Sequence, residues 1–230
     1  MKRLLSMLLV LTLLSGCSSL RDSAGRIKLR YLAYGGSRNN VLYIEERGEP
    51  VPYLCFDSDY DGVLLVRKDY MDQDVMFNDI GSGGSYYPDS NLDMWLEQFV
   101  LESFPQSVEN LVENVEIDVV DEDLDSVESI RRKVFVLSFS ELGLHDDRSL
   151  DLGGSIEGIR DFDLVGDEWL RDSYLDDSGL AWRYSMESYG PREVHEGLKV
   201  RPCLVLPGDL DVDYLEGSDG YVLSLGEAEI

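Results

Sequence analysis

Three aspartates alternate ahead of a glycine in the stretch CFDSDYDG: Asp57, Asp59 and Asp61, followed by Gly62. That spacing opens an EF-hand calcium loop, in which oxygens at alternate positions reach one cation and a bidentate acid closes the shell at the twelfth position. Counted from Asp57, the twelfth residue is Lys68, and the flanking runs VPYLCF and VLLVRK read as strands where an EF-hand has helices. The stretch is therefore read as a β-turn, where Asp and Gly serve backbone geometry, and no metal is expected. Catalytic signals are sparser still. The two histidines, His145 and His195, stand far apart in acidic, loop-like contexts, and neither G-x-S-x-G nor H-E-x-x-H occurs. With 46 acidic residues, carboxylate pairs of the glycosidase kind can be chosen almost anywhere, so spacing identifies none. No catalytic residue and no cofactor is expected.

Recognition chemistry is better represented. Tyr174, Trp182, Arg183, Tyr184, Tyr189 and Arg192 crowd into residues 174–192. These side chains contribute most at binding hot spots, because they bury large area and still hydrogen-bond, and aromatic faces stack on sugars. In a strand, Trp182 and Tyr184 point to one face and Arg183 to the other. The pattern leaves open whether the tryptophan–tyrosine face meets a ligand or the core.

The N-terminus addresses the chain. Lys2 and Arg3 precede the apolar run LLSMLLVLTLL, which ends in Ser15-Gly16-Cys17. A basic start, an apolar stretch short for a membrane span and small residues at its end describe a secretory signal. The ending LSGC resembles the lipobox of bacterial lipoproteins. That resemblance implies cleavage before Cys17 and a diacylglyceryl thioether on its sulfur, a lipid that would hold the protein on a membrane. A plain secretory signal and a single-span anchor are the alternatives. Ser18-Ser19 follow the cysteine, without the aspartate that suggests inner-membrane retention.

Removal of residues 1–16 leaves 18 basic against 46 acidic residues, a net charge of −28. Such a chain is repelled by nucleic acid and by anionic lipid, so DNA and RNA are excluded as partners. Cys55 and Cys203 remain beside the lipid site. Both lie in apolar runs and are expected as small buried hydrophobes, although export permits a disulfide.

The elements that carry these residues are mostly short strands. After a tether at 17–30, VLYIEE, RGEP and VPYLCF read as a hairpin, and VLLVRK as a third strand. LDMWLEQFVLESF carries Leu92, Trp95, Leu96 and Phe99 at helical spacing, with Ser90 or Asn91 as N-cap, and PQSVENLVENV reads as a second helix. RRKVFVLS holds a buried strand through Val134–Leu137, and DEWLRD, GLAWRYSM and KVRPCLVL read as three more. Residues 208–230 are acidic, and either a strand or a loose tail fits YVLSLG.

Several pieces in this order resemble the bacterial domain-of-unknown-function family 6273: DSDYDG-VLLVRK, SYYPDSNLDMWLEQFV, RRKVFVLS-FSELG, EWLRDS and VRPCLVLP, across about residues 41–207. That family resembles the C-type lectin fold. The resemblance implies a frame of Trp169, Leu170 and Arg171 at one end and Val200, Arg201 and Pro202 at the other, with residues 172–198 as the displayed insert. Asp172-Ser173 depart from the family's usual continuation after the arginine. Trp169 is expected in the core, and Arg171 and Arg201 on carboxylates.

Together these features lead us to expect an α+β, C-type-lectin-like domain with mainly antiparallel short strands and two central helices. The expected divisions are a signal peptide (1–16), a lipidated tether (17–30), the domain (31–207) and an acidic extension (208–230). The function expected is non-catalytic binding of a glycan or surface protein by a lipoprotein of the cell envelope, on the outer side of the cytoplasmic membrane or on an outer membrane. A structural envelope lipoprotein and a hydrolase are the alternatives.

Overall fold

The computed structural model describes residues 26–33, 40–81, 84–161 and 166–225, so the expected signal peptide, Cys17 and most of the tether lie outside the described residues. Strand β1 (Ile27–Lys28) precedes one helical turn, Arg30–Ala33. Strands β2 (Val41–Glu46) and β3 (Glu49–Phe56) form the expected hairpin, with Arg47 at φ 52° and Gly48 at φ 87° in its turn. Two left-handed residues give the turn whose twist matches that of the strands it joins. Then come β4 (Val63–Arg67), β5 (Val75–Met76), the hairpin of β6 (Val115–Val120) with β7 (Val127–Arg132), and β8 (Val134–Phe135). The tryptophan segments form β9 (Glu168–Ser173) and β10 (Leu180–Tyr184), followed by β11 (Tyr189–Glu193), β12 (Gly197–Leu198) and β13 (Cys203–Leu206). The acidic C-terminal stretch contributes β14 (Asp211–Tyr214) and β15 (Tyr221–Leu223).

The main sheet has eight strands in the order β1-β14-β15-β2-β3-β4-β13-β8, antiparallel except where β15 runs parallel to β2. The first and last strands of the described residues thus enter one sheet. A second sheet, β11-β10-β9, carries the tyrosine- and tryptophan-rich segment. At the centre of the main sheet, VLLV of β4 and CLVL of β13 are buried at every position, which is how a strand covered on both faces reads. Gly62, the end of the aspartate-rich turn, sits at φ 152°, and a Cβ there would stand 2.7 Å from the Leu206 carbonyl oxygen. A glycine is what lets the turn enter the β4–β13 ladder. Cys55 and Cys203 are fully buried and free, in β3 and β13 with β4 between them. Two strand spacings exceed the reach of a disulfide.

The expected α+β, C-type-lectin-like description with two central helices is corrected: the described residues are mostly β, with one helical segment longer than two turns among them. That segment runs as α-helix over Asn91–Trp95, π-helix over Leu96–Val100 and 3₁₀ over Leu101–Ser103. Ser90 caps it, its hydroxyl accepting the Asp93 N–H at 3.1 Å. Leu92, Leu96 and Val100 form the buried ridge, whereas Phe99, a member of the same helical pattern, is 53% exposed beside Trp95. The second expected helix shrinks to one turn, Gln106–Glu109. An apolar stripe reports which residues face the core but not how many turns persist before the chain enters β6. Glu97 of the long segment accepts the backbone N–H groups of Lys133 and Val134 at 2.9 and 3.0 Å, which covers the edge of the sheet at β8.

Candidate functional site

The β9–β10 ladder is irregular where it matters. Ala181 pairs with Ser173 and Arg183 with Trp169, so Trp182 alone lies opposite Leu170, Arg171 and Asp172. All six residues of β9 are buried, and across this irregularity the neighbours Arg171 and Asp172 both reach the 138–141 turn.

Trp182 is 2% exposed and stacks on Phe139 at 4.4 Å, its Nε1 donating to the Arg148 carbonyl oxygen at 3.3 Å. Tyr174 meets Trp182 edge-on at 5.5 Å. Tyr189 meets Phe139 edge-on at 5.2 Å, lies 6.3 Å from Trp182 and is 47% exposed. The structure therefore brings together Tyr174, Trp182 and Tyr189 of the six expected ligand contacts, over Phe139. It leaves the other three elsewhere. Arg183 is buried and donates to Asp167 Oδ1 at 3.1 Å and Ser188 Oγ at 2.9 Å. Tyr184 is also buried, and burial raises its phenol pKa above the ordinary value. Arg192 is partly exposed at the far end of β11, 4.0 Å from Glu196. The expected split of Trp182 and Tyr184 from Arg183 into one covered and one open face does not occur, because all three are covered.

β11 is an edge strand containing Pro191. The reciprocal Ser185–Ser188 backbone bonds set the ladder phase so that Tyr189, Pro191 and Glu193 turn their backbone groups outward. Proline has no N–H to offer there, so this edge disfavours addition of a partner strand and leaves recognition to side chains.

Phe139 is not legible as a site residue, because it enters the sequence only within the FSELG motif that follows the Val134–Leu137 strand. It stands on a turn, 138–141, held from several directions. Glu141 Oε2 accepts the Ser138 N–H at 2.8 Å, and Ser138 Oγ accepts the Glu141 N–H at 3.1 Å. Asp172 Oδ2 accepts the Phe139 N–H at 2.8 Å. Tyr60 donates to Glu141 Oε1 at 2.5 Å, and Arg171 Nη1 to Glu141 Oε2 at 2.6 Å. Arg171 also donates to the carbonyls of Asp118, Val136 and Leu152 at 2.8, 3.0 and 2.8 Å. Burial works against its charge, but Glu141 and Tyr60 raise its pKa above the ordinary guanidinium value. At the same end of the expected frame Trp169 donates to the Val75 carbonyl oxygen at 2.8 Å, and at the other end Arg201 grips Glu168 at 2.9 and 2.5 Å.

Two clefts are lined by acids. One, of about 250 Å³, lies beside Asp59, Tyr60, Glu116, Asp118 and Glu141; the other, of about 390 Å³, beside Asp57, Asp61, Glu113 and Asp209, with Arg30. The three alternating aspartates thus divide between two clefts rather than converging on one point. Among the described residues no three His, Cys, Asp or Glu side chains are placed to hold a metal ion. His145 faces Asp151 at 3.5 Å and His195 faces Glu193 at 2.9 Å, both at the surface. No helix of the described residues is long and apolar enough to cross a membrane. A family model described as a domain of unknown function (DUF6273) matches residues 61–208, while no curated protein and no solved structure matches the chain.

Proposed function

Given that the chain belongs to the DUF6273 family, whose function is unknown, we propose that it is a non-catalytic ligand-binding domain displayed on a lipid-anchored envelope protein. The observation that supports this reading is Tyr189. It is a half-exposed ring, backed edge-on by a buried Phe139–Trp182 stack, at a sheet edge that does not favour strand addition. A rigid aromatic with one free face loses little entropy on contact and suits a sugar ring or an apolar protein knob. Tyr174 extends the same group, and Arg192 lies partly exposed further along β11.

The chain from residue 21, presented to arrays of glycans and envelope proteins, is expected to capture a ligand. Tyr189→Ala is expected to lose that capture by tenfold or more, on the order of 1.4 kcal/mol, with the unfolding midpoint little changed. Capture retained by the alanine variant would remove Tyr189 from the site. An absence of capture on both arrays would count against binding altogether.

The burial of Trp182, Arg183 and Tyr184 favours a second reading, a structural envelope lipoprotein without an open ligand face. Both readings share the anchor at Cys17. Mass spectrometry of the mature protein is expected to find Cys17 as its first residue with a diacylglyceryl group on the sulfur, and an unmodified Cys17 thiol would exclude that lipid.

A further inference from the structure

Sheet edges are normally covered or blunted, because a row of free N–H and C=O groups pairs with any strand that reaches it. In this fold Glu97 covers β8, Pro191 interrupts β11, and β1 is two residues long. Among the described residues β7 is treated differently. Its hairpin closes with the Asp121 N–H donating to the Ser126 carbonyl oxygen at 3.0 Å, which sets the alternation along the register. Glu128, Ile130 and Arg132 bond to β6, while Val127, Ser129 and Arg131 turn their backbone groups the other way. On β6 the same alternation sends the Asp118 carbonyl outward, where Arg171 meets it at 2.8 Å. Of the outward groups of β7, only the Arg131 carbonyl oxygen has a partner among the described residues, Nη1 of the neighbouring Arg132 at 2.9 Å. The side chains divide in the same way. Glu128 is held by Tyr86 at 2.5 Å and Arg132 by Asp93 at 2.7 Å, so one row fixes the strand to the body of the domain. Val127, Ser129 and Arg131 form the other row, and all three are exposed. The register with β6 is unbroken, and β7 contains no proline. Charge also runs along the hairpin: Asp121, Glu122, Asp123 and Asp125 precede the strand, and Arg131, Arg132 and Lys133 end it.

We propose that β7 is a docking edge for a second copy of this chain, whose own β7 adds antiparallel about a two-fold axis at Ser129. In that register Ser129 opposes Ser129 of the partner subunit, and Val127 opposes Arg131 of the partner subunit. Every outward residue of both strands is used, and the two hairpins join into one sheet, β6-β7-β7-β6. The same register sets the basic end of each strand beside the acidic turn of the other. A parallel neighbour of this sequence would instead align like charges, which destabilises a pair. Two chains of net charge −26 repel one another as wholes. At about 0.15 M salt that repulsion is screened beyond about 8 Å, whereas groups on adjoining strands stand closer than this. The contact does not depend on the binding role proposed for Tyr189, which stands on β11 of a different sheet. Loss of ligand capture and loss of the dimer are therefore separate results.

Sedimentation of the purified full chain in detergent, at about 0.15 M salt, is expected to show a monomer–dimer equilibrium with dimer populated by about 100 µM, as suits an interface below the standard size. Ser129→Pro removes the central outward N–H without touching a backbone bond to β6, and is expected to abolish the dimer. Ser129→Ala also loses the hydroxyl but keeps that N–H, and is expected to retain it. Val127→Arg sets arginines opposite one another and is expected to weaken association about tenfold. Combining it with Arg131→Glu is expected to restore association, because each new arginine then opposes a glutamate. Circular dichroism and the unfolding midpoint check that each variant is folded. Should Ser129→Pro not fold, the two Val127→Arg variants give the decision, since that side chain is exposed. A chain that stays monomeric overturns the proposal and leaves the edge to a strand from another protein. A dimer indifferent to Ser129→Pro and to Val127→Arg lies on another surface and overturns it as well.

Discussion

Replacement of Arg171 by methionine is expected to destabilise the protein by about 3–5 kcal/mol, the range for removing one partner of a buried ion pair. In a chain of this size that corresponds to a fall in melting temperature of roughly 10 °C. The side chain is fully buried and donates to Glu141 and to the carbonyls of Asp118, Val136 and Leu152. Methionine fills much of the volume but leaves a buried carboxylate without its cation and three carbonyls without this donor. Arg171→Lys is expected to fall between the two, because one ammonium keeps the charge but cannot span four acceptors lying in different directions. Urea unfolding followed by circular dichroism measures the loss. A cost under about 1 kcal/mol for the methionine variant would mean that the guanidinium is not the hub the geometry describes.

The second large effect belongs to Arg201 and Glu168, which meet through two parallel hydrogen bonds with both side chains buried. Burial raises the Glu168 carboxyl above its ordinary pKa, and the neighbouring Arg201 holds it down. Arg201→Met is expected to cost about 3–5 kcal/mol at neutral pH. The deficit should narrow on acidification, as the stranded carboxyl takes up a proton. Arg201→Met combined with Glu168→Met is expected to recover most of the loss, since the pair is then replaced by apolar groups of similar volume. A double-mutant cycle by denaturant unfolding gives the coupling directly. A double variant as unstable as the single one would place the damage in packing rather than in the unpaired charge.

The sequence made the local elements legible. The β2–β3 hairpin follows from apolar runs interrupted at Arg47-Gly48, and β4 and β13 from continuous apolar text. The twelfth-position lysine and strand flanks were enough to read CFDSDYDG as a turn, and Gly62 against the Leu206 carbonyl supplies the contact that makes its glycine necessary. The helical content was overstated. Leu92, Leu96 and Val100 hold a ridge on the core, but Gln106–Glu109 makes only one turn before the chain enters β6. Strands β14 and β15 were obscured by their acidic composition, and neighbouring strands in one sheet give them order that their own residues do not announce.

The site was legible as a list of residues but not as an arrangement. The segment 174–192 stood out by its aromatics and arginines. Only the packing of the β11-β10-β9 sheet decided that Trp182, Arg183 and Tyr184 on its middle strand are covered and that Tyr189 on its edge strand keeps a free face. Phe139 and Glu141 stood only within the FSELG motif and Asp172 only as a departure from the family's pattern, none of them with a role. Their roles depend on partners brought together over long separations, 33 residues between Phe139 and Asp172 and 81 between Tyr60 and Glu141. Turn chemistry and strand alternation act over a few neighbouring residues, and these the sequence determined by itself, along with the charge and the family motifs. Which polar groups are dry, which are paired and which aromatic meets solvent was decided only by the tertiary structure, because desolvation and ion pairing depend on distance in space and not on distance along the chain.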